Sequence, residues 1–388
     1  MARSTRSSNR TEVVHGQPSW RLRASTVEAC VTVQGGHLAP VTFDRKGRKI
    51  EPYSISPWAG QKVDAGLPPL LKVLRGDFFC MPFGGNETPY RGERYPPHGE
   101  TANNKWTFEA SQSGGGRHTL TLRMRTKTRP GLVRKRLTLV DGHDAVYDEH
   151  VISGMSGAMS FGHHATLRFP DEPESGRLST SPLRFGMNAP WPTEMPDSRG
   201  YSILEPGYEF KSLGRTKMIT GRFTDLTKYP ARRGFEDIAI LVNKPVKPFA
   251  WTAVTFPKQR YVWFAMKNPN VLRCTLMWMS NGGRHYAPWN GRHVNVMGLE
   301  ELTSYFHYGL AESAKANPLR RRGVQTCVTM SPRRPLAVRY VMAVAPIPSG
   351  FDRVRTIRPG AKPETVTLTA YSGKSVTAAV DGSFVAGR

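Results

Sequence analysis

His118-Thr119-Leu120-Thr121-Leu122-Arg123-Met124-Arg125 alternates apolar and polar side chains over most of its length. A period of two marks a half-buried β-strand. Leu120, Leu122 and Met124 share one face, and Arg123 and Arg125 point the other way. Turn formers Ser113-Gly114-Gly115-Gly116 stand just before it. Beyond it, residues 137–140 and 145–152 flank Asp141-Gly142, the dipeptide of a tight hairpin.

The same pattern extends in both directions. Short apolar runs recur at 159–169, 238–242, 251–256, 261–266, 272–278, 324–330 and 338–344. The chain also carries Gly 37 and Pro 31, which suits many tight turns and few helices. The predicted fold is all-β, a large antiparallel β-sandwich (a supersandwich) with few short helices. One helical stretch is expected over 300–315, closed by Pro318. Residues 169–212, rich in Pro, Ser and Gly, read as a long insertion or lid over one end of the sandwich. The expected organisation is a basic flexible arm over 1–23, the sandwich over 24–348 and a small terminal hairpin over 349–388. No internal repeat is evident.

Composition narrows the partners. The chain has 388 residues and a net charge of +25. Its basic residues cluster: Arg3, Arg6 and Arg10, then eight between Arg117 and Arg136 with no acid among them, then Arg320, Arg321 and Arg322. Such a field attracts polyanions, including acidic sugars and, through non-specific charge alone, nucleic acid. No nucleic-acid recognition module is present. The plainer reading is a solvated basic surface. Cys30, Cys80, Cys274 and Cys327 form no C-x-x-C pair and read as buried free thiols. No apolar run nears the roughly 18 residues that span a bilayer. A cytoplasmic setting is expected. The sequence does not give the oligomeric state.

Three distant segments each bring a proton-handling side chain beside a glycine or turn. They are Pro97-His98-Gly99-Glu100, Gly162-His163-His164-Ala165 and Gly298-Leu299-Glu300-Glu301. Two imidazoles and a carboxylate suffice for one general acid and one general base. Each residue also has a plain structural reading. His98 could cap a turn, Glu300 could head a helix, and one of His163 and His164 must face away by alternation. No His pair has metal-ligand spacing with a third partner nearby, so neither metal nor cofactor is expected.

In their order and context these segments resemble the galactose mutarotase-like superfamily, which includes the aldose 1-epimerases. Arg75-Gly76-Asp77 leading to Met81-Pro82-Phe83-Gly84 adds to the likeness. The resemblance implies interconversion of sugar anomers. A base takes the anomeric hydroxyl proton, an acid protonates the ring oxygen as the C1–O5 bond opens, and the ring recloses on its other face. It implies Glu300 as base, with Glu301 second, His164 as acid with His163 beside it, and His98 near the ring oxygen. Ala165-Thr166 stands where relatives carry Pro and an aromatic, which leaves the His163/His164 register open. Arg75 and Asp237 would hold sugar hydroxyls. Trp278 or Trp289 would stack on a sugar face. The alternative is a carbohydrate-binding or polyanionic-glycan-processing protein on the same fold, where Tyr305 and Arg168 could serve lyase chemistry.

Overall fold

Two large antiparallel sheets stack face to face in the computed structural model, which describes residues 9–387. One has nine strands, ordered Lys228–Tyr229, Gly176–Thr180, Ala250–Phe256, Tyr261–Lys267, Leu336–Pro346, Ala145–Ser153, Gly131–Val140, Arg117–Thr126 and Thr107–Gly114. The other has eight. Its centre runs Phe235–Asn243, Cys274–Asn281, Val296–Thr303, with Phe161–His163 and Ala165–Arg168 both pairing the last of these.

Alternation decides what each face does. Leu120, Leu122 and Met124 lie in the core between the sheets, while Arg123 and Arg125 are exposed. Met277, Met279, Met297 and Leu299 meet them from the eight-stranded sheet. The outer face of the nine-stranded sheet is covered too. Trp251, Phe264 and Val341 pack there against Ile357, Val366 and Leu368. Ala250–Phe256 and Tyr261–Lys267 are therefore buried along their whole length, which explains apolar runs without alternation. The outer face of the eight-stranded sheet carries a third apolar cluster, with Trp58, Leu70, Phe78, Ile238, Leu276 and Trp278.

Four local expectations change. Glu12–Val14 and Gln17–Arg23 are strands within the expected arm, paired into a four-stranded sheet with Glu28–Thr32 and Leu38–Thr42. Trp20 and Leu22 are buried there, while Arg21 and Arg23 pair with Glu28 outside. Arg3 and Arg6 lie outside the described residues. The terminal segment forms three strands, Val354–Pro359, Thr365–Ala370 and Ser375–Ala379, rather than a hairpin.

The stretch 169–212 is not an insertion, for Gly176–Thr180 joins one large sheet and Leu183–Asn188 the other. Glu300 heads no helix. It lies inside Val296–Thr303, a strand hydrogen-bonded on both sides, and that ladder outweighs local helix propensity. In this part of the chain helix begins at Leu310–Ala314 and again at Pro318–Arg321. Pro318 opens the second helix, where its missing N–H costs nothing, and the Asn317 side chain caps it by accepting from Arg320 N at 3.0 Å.

Candidate functional site

A pocket of about 110 Å³ opens on the outer face of the eight-stranded sheet. Strand register puts its polar floor together. Trp278 lies opposite Gly298, and Leu276 opposite Glu300, so both pairs face outward. Gly298 is needed there. A Cβ at that position would lie 2.4 Å from Glu300 Oε1 and 3.2 Å from Trp278 Cβ. The Gly-x-Glu spacing thus leaves room for the carboxylate, because residues two apart share a face.

His164 sits between two short strands, its N–H bonded to Phe78 O at 2.9 Å. Its Nε2 lies 3.2 Å from Glu300 Oε1, and its Nδ1 3.2 Å from Thr166 Oγ1. Phe78 stacks on the imidazole at 4.4 Å, and Trp278 meets it edge-on at 5.7 Å. His98 completes this side, its ring 5.0 Å from that of His164. It precedes the short helix Gly99–Asn103 with a left-handed φ of 58°. Gly99 follows because a Cβ there would lie 2.0 Å from Met81 O.

Burial sets the protonation. It raises the Glu300 carboxyl well above its ordinary value and lowers His164 well below its own. Both shifts favour the uncharged pair, which holds one proton between an oxygen and a nitrogen in contact. Burial also pushes His98 down to about 3 and His307 to about 4. The neighbouring Arg284 cation adds to both effects.

Of the residues singled out in the sequence, the pocket brings together His98, His164, Glu300, Trp278 and Trp289. Four do not reach it. Arg75 is buried behind the sheet, its guanidinium spent on backbone carbonyls: Nε on Val73 O at 3.1 Å, Nη1 on Val14 O and Nη2 on His15 O, both at 3.0 Å. Asp237 points between the sheets and accepts from Ile203 N at 3.0 Å and Leu204 N at 2.9 Å. His163 faces inward as well, with Nδ1 2.9 Å from Asp77 Oδ2. Glu301 likewise turns inward, to Thr252, Thr275 and Lys267.

Three other residues complete the site. Arg284 lines the pocket over the Trp289 ring at 4.5 Å and is held by Glu194 Oε1 at 2.6 Å. His307 lines the same pocket. Glu236, the strand neighbour of Asp237, faces the pocket layer instead. It accepts from Trp278 Nε1 at 2.9 Å and Ser280 Oγ at 2.8 Å. Ser280 Oγ also lies 2.6 Å from His293 Nδ1. Burial raises Glu236 to about 7. Two-residue alternation from Ile238 could have selected Glu236 over Asp237. Nothing in the sequence marks His307.

A search of protein-family models finds no match, and no curated protein matches at a significant level. Solved structures do match. A candidate aldose 1-epimerase from Escherichia coli superposes with a TM-score of 0.55 at 12% identity, over 85% of this chain and 99% of that one. The fold is that of the aldose 1-epimerase-related proteins. A candidate aldose 1-epimerase from Klebsiella pneumoniae gives 0.57 at 12% identity, over 86% and 82% of the two chains. A galactose mutarotase related enzyme from Lactobacillus acidophilus gives 0.53 at 11%, over 84% and 97%. At such identities the likeness establishes this galactose mutarotase-like fold and nothing finer. Among the described residues, no helix is long and apolar enough to cross a membrane.

Proposed function

We propose that the protein interconverts the anomers of a free sugar or acidic sugar by general acid–base ring opening. One observation carries this reading: His164 Nε2 and Glu300 Oε1 stand 3.2 Å apart at the floor of a small aromatic-walled pocket. The pair holds one proton, so it always offers one donor and one acceptor. Opening a hemiacetal consumes one of each, and reclosing returns them. In the charged form Glu300 takes the anomeric hydroxyl proton and His164 gives one to the ring oxygen. His98, held neutral, supplies a hydrogen bond beside the reacting bond. Trp278 and Trp289 offer aromatic planes to the sugar's C–H face, and Arg284 offers N–H donors to its hydroxyls or carboxylate. Free buried thiols at Cys30, Cys80 and Cys274 support a reducing, cytoplasmic setting.

The test is anomer exchange by NMR on freshly dissolved α-glucose, α-galactose, glucose 6-phosphate and glucuronate. Acceleration of any one, lost in Glu300→Gln, is the expected result. No acceleration of any contradicts the reading.

A second reading, glycan binding without anomer exchange, draws on one further feature. A cavity of about 540 Å³ shares His307 with the pocket and is lined by Trp191, which is 57% exposed. Glycan-array binding with no catalysis would favour it. Tyr305 lines that cavity, but Arg168 is exposed and lines neither pocket, which weakens the lyase variant.

A further inference from the structure

His163 and His164 are consecutive and face opposite ways, so the reaction proposed above leaves His163 without a role. It lies in a buried polar cluster between the two sheets. Asp148 and His150 stand two apart on Ala145–Ser153, sharing a face of the nine-stranded sheet, and His163 comes from the eight-stranded sheet. All three are fully buried. We propose that Asp148, His150 and His163 bind a divalent transition-metal ion of the zinc type, tying the sheets together behind the pocket.

Donor geometry is the first argument. One carboxylate oxygen and one ring nitrogen from each histidine lie within 4.8 Å of one another. Zinc bonds of about 2.0–2.2 Å to nitrogen and oxygen require these atoms to close further, by small side-chain rotations. Unmet hydrogen bonding is the second. Both His150 nitrogens and His163 Nε2 are buried without a hydrogen-bond partner. Buried polar atoms are rarely left so, and several together point to an occupant. His163 carries the arrangement of a metal-bound imidazole: Nδ1 is held by Asp77 Oδ2 at 2.9 Å, which leaves the Nε2 lone pair free.

Charge is the third. Asp77 and Asp148 are two buried carboxylates answered by one ammonium, Lys135. Lys135 Nζ lies 3.1 Å from Asp148 Oδ2 and donates to Gly36 O at 3.2 Å. Asp148 Oδ1 is left facing His150, 3.5 Å from its Nδ1. One buried space thus gathers two carboxylates, two imidazoles and one ammonium. Two nitrogens and an oxygen suit zinc better than calcium or magnesium. The fourth position falls to a buried water or to the Tyr340 hydroxyl, itself unpartnered, whose ring lies 4.5 Å from that of His163. Phe79, stacked on His150 at 4.0 Å, closes the site to solvent.

The test uses the untagged full-length protein, made in zinc-supplemented and in zinc-depleted medium. Elemental analysis should find one zinc per chain in the first preparation, and diffraction at the zinc edge should place it between Asp148, His150 and His163. Zinc chloride should raise the Tm of the second preparation, and magnesium chloride should not. His150→Gln should lose the ion. If that variant fails to fold, the zinc-dependent Tm of the unaltered chain decides. Metal-free protein from zinc-rich medium, with a Tm indifferent to zinc chloride, overturns the proposal and leaves a shared proton and water in the cluster. So does full zinc content in a folded His150→Gln.

Discussion

Gly298→Ala isolates the geometry of the proposed acid–base pair without altering either partner. The added methyl would sit 2.4 Å from Glu300 Oε1 and 3.2 Å from Trp278 Cβ. An ordinary contact is about 3.5 Å, so the carboxylate must retreat by about 1 Å. The strand is hydrogen-bonded on both sides and cannot yield, so the side chain moves. A displacement of about 1 Å at a reacting group costs on the order of 100-fold in rate. The crowding itself should cost roughly 1–3 kcal/mol of stability. Anomer exchange by NMR gives the rate, and denaturant unfolding gives the stability. The expected outcome is a folded protein that has lost about two orders of magnitude in exchange. A folded variant with the full rate would refute the reasoning, because Glu300 would then not need its position.

Arg75→Met should behave in the opposite way. It removes three charge-assisted bonds to backbone carbonyls and should cost roughly 3 kcal/mol or more, yet leave exchange per folded molecule unchanged. Loss of exchange at full stability would return Arg75 to the site. Glu236 holds its proton to about 7 in the fold against an ordinary 4.5. Its contribution to stability is complete below 4.5 and is lost as pH climbs through 7. Urea unfolding at pH 5 and pH 8 should show Glu236→Gln gaining on the parent by up to roughly 3 kcal/mol at the higher pH. A gap that does not change with pH contradicts this. The pH profile of exchange follows from the pair. Burial holds His164 well below its ordinary 6.5, so the second proton enters only in acid and the rate should stay level through neutrality. An acid limb centred at or above 6.5 argues against His164 as the partner.

Period-two patterns made the strands around Leu120 and the hairpin at Asp141-Gly142 legible, because one face of each is buried and the other is not. Gly176–Thr180 and Leu183–Asn188 were hidden in a Pro- and Ser-rich stretch, since their place is decided by distant partners, Thr252 to Thr255 and Ala239 to Asn243. Glu300 looked like a helix start for the same reason: its neighbours in space are Leu276 and His164, not the residues that follow it. Three glycine-flanked segments pointed to one pocket because each glycine answers a local crowding. Arg75 and Asp237 misled because their environment is non-local. One meets the carbonyls of a hairpin some sixty residues earlier, and the other is a single step of alternation from the residue that faces the site.

On the proposed mechanism His164 and Glu300 share the proton that opens a sugar ring. The most direct measurement is anomer exchange by saturation-transfer NMR, comparing the unaltered chain with Glu300→Gln and His164→Asn, each checked for its Tm. The unaltered chain should accelerate exchange of at least one of glucose, galactose, glucose 6-phosphate and glucuronate, and both folded variants should abolish it. Undiminished exchange in either folded variant would contradict the mechanism.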